Sequence, residues 1–145
     1  MSLQDWLKSR WLIKHQTSRQ EVLDLLSMAD RDLVQCRTPH LSPDWQLNIA
    51  YSAALQAATA ALSAAGYRAA RDSHHYRVIQ SLAYTIKADE RLITQLDKFR
   101  KKRNISDYER AGAVSEQEAK EMFALAENLR NEVEKWLRSN YPKLL

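Results

Sequence analysis

The chain is short of the residues that bend and punctuate a backbone, with two glycines and three prolines in 145 residues. Tight β-hairpin turns draw on such residues, so their scarcity argues against an all-β fold. Cys36 is the only cysteine, which excludes an intrachain disulfide and leaves a cysteine-based structural zinc short of thiolates. No run of eighteen or more apolar residues occurs. The start, Met1 to Trp6, lacks the basic opening and continuous apolar stretch of a signal peptide. These absences predict a reducing, cytoplasmic setting and no membrane partner.

Ala, Leu, Gln, Glu, Lys and Arg are abundant instead. They lose little side-chain freedom in helices and favour an all-α fold. The length suits one domain over residues 1–145. Twenty-two Lys and Arg against eighteen Asp and Glu give a net charge of +4 and a pI near 9.3. That balance permits an acidic partner such as RNA, whose condensed counterions basic side chains can replace.

Ser2/Asp5, Ser18/Glu21 and Ser115/Glu118 each place a hydroxyl three residues before an acid, the spacing with which the two satisfy orphan N–H groups at a helix start. From Ser18, Val22, Leu25, Leu26, Ala29 and Leu33 keep to one helix face, and Thr38-Pro39 ends it. From Ser115, Ala119, Met122, Phe123, Ala126, Leu129, Val133, Trp136 and Leu137 do the same. Between Ser42-Pro43 and Gly66 the only charge is Asp44. That segment reads as a central helix whose many alanines let neighbours approach on several sides. Val78, Ile79, Leu82 and Ile86 predict a short helix, and Asp89 caps another through Leu92, Ile93, Leu96 and Phe99 that ends in charge. The expected architecture is an up-and-down bundle of about five helices behind an N-terminal helical arm, residues 1–17.

Lys98-Phe99-Arg100-Lys101-Lys102-Arg103 places five cations where that helix is expected to end, and there they offset the negative end of its macrodipole. Arg103 lies four residues after Phe99 and seven after Leu96, on the apolar stripe, so its guanidinium needs a partner. Asp107 or a backbone carbonyl would neutralise it internally, and a phosphate would match its planar fork.

Arg103-Asn104-Ile105-Ser106-Asp107-Tyr108 resembles the signature of HEPN domains, small helical bundles whose ribonuclease members carry Arg, commonly a polar residue such as Asn, three further residues, then His. The likeness extends along most of the chain from about Ser18: a long central helix with Tyr51 and small residues, a Gly at its end, a His before a short helix, the Arg-Asn motif, and a final amphipathic helix opening near Ser115. The Arg-x-x-x-Asp-Tyr form is similar to branches that lack the histidine.

In the ribonuclease members the resemblance implies metal-independent RNA cleavage in a cleft built across a dimer axis, without a cofactor. Carried over, Arg103 matches the phosphate-binding arginine and Asn104 its polar neighbour; Arg100 and Lys102, outside the motif, are expected to assist. Tyr108 stands in the place of the histidine. A phenol with reference pKa about 10 is a poor base near neutrality where imidazole at about 6.5 is suited, so weak or absent nuclease activity is expected. The reading that results is a homodimer binding RNA or a nucleotide. Its rivals are an interaction module partnered by an antitoxin or a nucleotidyltransferase, and an active ribonuclease using His75 or Tyr108.

His74 and His75 are adjacent and point about 100° apart on a helix, so they cannot ligate one metal in the manner of two histidines four residues apart. His75 reads as a packing or capping residue, or as an assisting base beside Arg103. Trp6, Trp11, Trp45 and Trp136 are expected to anchor the core or helix contacts, with those of the arm also suited to a subunit contact.

Overall fold

The computed structural model describes residues 1–108 and 113–145, of which 105–108 by backbone alone. Its elements run α1 (Leu3–Lys8), β1 (Leu12–Lys14), α2 (Arg19–Gln35), α3 (Pro43–Ala64), β2 (Tyr67–Ala69), α4 (His74–Ser81), α5 (Glu90–Tyr108) and α6 (Glu116–Asn140), closed by a 3-10 turn at Pro142–Leu144. The fold is all-α apart from one small sheet, as composition predicts.

Side-chain oxygens set most helix starts. Ser2, Ser18 and Ser42 accept from the backbone N–H groups of Asp5, Glu21 and Trp45. Asp89 accepts from Leu92 N at 2.8 Å. Ser115 and Glu118 form the full reciprocal box, at 3.0 and 3.1 Å. Gly66 ends the central region with φ +99°, a conformation that costs a residue with a Cβ more than it costs glycine.

α3 is the axis. Ala50, Ala53, Ala54, Ala57, Ala58, Ala60 and Ala61 are buried, and their small side chains let α2 and α6 lie close along it. α6 brings Ala119, Met122, Ala126, Leu129, Val133 and Leu137 to that contact. Each large side chain fully buried there contributes about 1.5–3 kcal/mol. A buried carboxylate lies in the seam: Asp32 of α2 accepts from Ser52 Oγ at 3.1 Å and Gln56 Nε2 at 2.8 Å. α4, α5 and β2 pack on the rest of α3, and the arm joins the bundle through β2.

Three expectations are corrected. The arm is not wholly helical: β1 pairs antiparallel with β2, Leu12 opposite Ala69 and Ile13 opposite Arg68. Its pairing partner lies more than fifty residues away, so no local turn signal announces it. The basic run is not a helix end, because α5 continues to Tyr108 and macrodipole compensation fades beyond the last turn. Trp45 does not anchor the core and is 61% exposed. It sits two residues from buried Leu47, about 200° around the helix from the packed face. Trp6 is buried, and Trp11 and Trp136 pack against the core from its edge.

Among the described residues, no helix is long and apolar enough to cross a membrane.

Candidate functional site

The first turn of α4 and one face of α5 enclose an open groove of about 520 Å³, lined by Ser73, His74, His75, Tyr76, Arg100 and Asn104. Ser73 is left-handed, with φ 54°, and its side chain makes no cap hydrogen bond. The first turn of α4 thus has no side-chain acceptor from its N-cap residue, an arrangement suited to an anion.

Arg100 enters from α5, held by Asp97 Oδ1 at 2.8 Å and standing 5.5 Å from the Tyr76 ring centre. Asn104, one turn further along, is exposed and supplies both a donor and an acceptor. Arg103 lies behind this wall, half-buried, with its guanidinium 5.4 Å from the Tyr51 ring centre on α3. The apolar stripe does aim it inward, as its spacing from Leu96 and Phe99 predicts, and an aromatic face receives it.

His75 ties the first turn of α4 to the central helix. Its Nδ1 lies 3.4 Å from the Tyr51 hydroxyl. Burial, then the positive charges of Arg103, His74 and Arg100, hold its pKa below the ordinary 6.5, so the ring is neutral at pH 7. Burial also pushes the Tyr51 hydroxyl up to about 12, against the opposing pull of Arg103 and Arg100. The site therefore holds fixed cations beside an uncharged imidazole that can accept a proton and a phenol that keeps its own.

Lys102 is not in the groove. It turns to α6 and meets Glu118 Oε2 at 3.5 Å, tying α5 to the capping box. Lys101 likewise reaches Asp97, at 3.5 Å. The side chains of Asp107 and Tyr108 lie outside the described residues. Among the described residues no group of three His, Cys, Asp or Glu is placed to hold a metal ion.

Sequence reasoning missed Ser73 and Tyr76 in the lining, and Asp97 as the residue that orients Arg100. The alternation of rings and a cation in His74-His75-Tyr76-Arg77 carries the signal for Tyr76, and it is overlooked when the pair of histidines is weighed only as metal ligands.

Residues 22–136, about four-fifths of the chain, match the family description HEPN domain. No curated protein and no solved structure matches the chain.

Proposed function

The chain belongs to the HEPN domain family, and from that premise we propose that it binds RNA or a nucleotide through phosphate in the groove between α4 and α5. One observation carries the reading: Arg100, Asn104 and the first turn of α4 converge on a single open concavity, so that charge, donors and a helix start all favour an anion in one place. Arg103 adds positive potential from behind without leaving its seat on Tyr51. Two copies of the chain would place two such grooves about a common axis.

A second reading, metal-independent cleavage of RNA, is favoured by His75. Tyr108 in the position of the motif histidine is a poor base, whereas His75 stands in the groove beside Arg100 with its neutral form favoured. In such a reaction the ring would take the proton of a ribose 2′-hydroxyl as its oxygen attacks the neighbouring phosphorus; the P–O5′ bond breaks and the leaving oxygen takes a proton back from the imidazolium or from water, giving a 2′,3′-cyclic phosphate and a 5′-hydroxyl.

One titration with a labelled RNA oligonucleotide tests both. Arg100→Gln and Asn104→Ala are each expected to weaken binding roughly tenfold, the loss of one charge-assisted or polar phosphate contact. Lys101→Gln, exposed and outside the groove, should change it less than about twofold. Equal effects of all three would mean diffuse attraction and no site. If the RNA stays intact on prolonged incubation with the parent protein, cleavage is refuted while binding stands. Cleavage that His75→Ala abolishes without weakening binding would establish it.

A further inference from the structure

The cations of this chain are treated in two ways. On α5, Arg100 and Lys101 share Asp97, and Lys102 meets Glu118. On the arm and the β2–α4 connection, residues 8–14 and 67–77 hold Lys8, Arg10, Lys14, Arg68, Arg71 and Arg77 with Asp72 as their one acid. None of those six cations pairs with a carboxylate among the described residues.

Arg77 is nevertheless held in place. Its guanidinium lies 3.6 Å from the Trp11 ring centre, with Trp6 at 5.7 Å and Tyr76 at 5.3 Å. Stacking on rings fixes the plane of a guanidinium and leaves its N–H edge and its charge available. An ion pair does the opposite. From Trp11 the series runs through Arg77 and Tyr76 to Arg100, so rings and cations alternate from the arm to the groove. The backbone keeps Arg71 close to the same line: Ala70 N donates to Trp11 O at 2.9 Å, and Ser73, two residues after Arg71, lines the groove. Arg68, opposite Ile13 in the sheet, is exposed, as is Arg71.

We infer that the ligand of the groove is a single strand of RNA several nucleotides long, whose backbone leaves the groove over Tyr76 and Arg77 and follows Arg71 and Arg68 along the arm. The inference rests on the phosphate-binding reading of the groove and names the ligand class for it. A mononucleotide would use the groove alone and leave the unpaired cations idle. Interleaved rings and cations suit a flexible strand, whose phosphates can follow a curved path and whose bases are free to stack.

The test compares an oligouridylate of about ten nucleotides with a uridine dinucleotide, each titrated against the parent protein and against the Arg68→Gln/Arg71→Gln double variant. Both substituted side chains are exposed and form no ion pair among the described residues, and an unchanged melting temperature checks that the double variant is folded. The longer RNA should lose about tenfold in affinity, and the slope of log affinity against log salt should fall by roughly 0.7 for each phosphate contact removed. Dinucleotide affinity should stay within about twofold. If both RNAs bind the parent equally and the double variant matches it, the track is overturned and the groove stands. If neither RNA binds the parent, the groove reading fails and takes the track with it. A blunt RNA duplex bound as tightly as the single strand overturns the strand assignment. Polyglutamate binding that needs Arg68 and Arg71, with no such dependence for RNA, assigns the surface to an acidic protein instead.

Discussion

The two sides of α3 are built on different physical terms. Toward α2 and α6 it presents alanines, and the contact is close, with one oxygen of Asp32 engaged by Ser52 and Gln56. Toward α4 and α5 it presents Tyr51, which meets His75 and Arg103, and beside them Tyr76, Arg77 and Trp11 form an aromatic and cationic set. Both sides are packed, and the second adds oriented charge to an apolar contact made by Val78, Ile79, Leu82, Leu96 and Phe99. Stability and binding should therefore respond to different substitutions.

Leu129→Ala breaks the alanine-lined side. The side chain is 1% exposed on α6, and its truncation should cost about 2–5 kcal/mol in chemical denaturation while leaving the RNA affinity of the folded protein within about twofold. A large change in affinity would mean that the two sides are not independent. Trp11→Ala probes the other side and should invert the pattern. Removing a ring packed at the core's edge should cost less, about 1–3 kcal/mol, yet the loss of the stack frees Arg77 and should weaken binding of the longer RNA several-fold. Unchanged binding would show that the stack serves the fold alone.

The smallest effect at neutral pH appears only in alkali, where each side contributes one group. Burial, with the nearby Asp32 charge, pushes the Cys36 thiol up to about 11, and burial pushes the Tyr51 hydroxyl up to about 12. Each stays protonated in the folded chain at pH values where the unfolded chain has lost the proton. Stability is therefore full below pH 9 and falls as pH rises, first through the Cys36 window of about 9 to 11 and then through the Tyr51 window of about 10 to 12. Thermal melts should show that decline, and Tyr51→Phe should remove its later part alone. A melting temperature flat from pH 8 to 11 would contradict it.

Much of the alanine-lined side is legible in the sequence because its signals are local. The Ser-x-x-acid spacings fix the starts of α2 and α6, and the interval from Ser42-Pro43 to Gly66 delimits α3 almost to the residue. Even the inward aim of Arg103 follows from its register with Leu96 and Phe99. The polar side is less legible because its partners are distant. Asp97 takes Arg100 by a local route, but Lys102 goes to Glu118 of the next helix and Arg77 to Trp11, sixty-six residues earlier. A basic run shows how many cations there are and not which have been spent on carboxylates. The sheet is hidden for the same reason, two three-residue strands with a pairing that depends on α3 bringing Tyr67 back to Lys14.

The alanines of α3 have a mechanical consequence as well. An alanine has no χ rotamers to exchange, so the seam of α3 with α2 and α6 cannot yield by reshuffling side chains the way a leucine-rich seam could. Any adjustment that an arriving ligand demands must be taken up by movement of α4, α5 and the arm as bodies, with the axis standing still. The helix that contributes least to recognition is thereby the reference against which the recognising elements move.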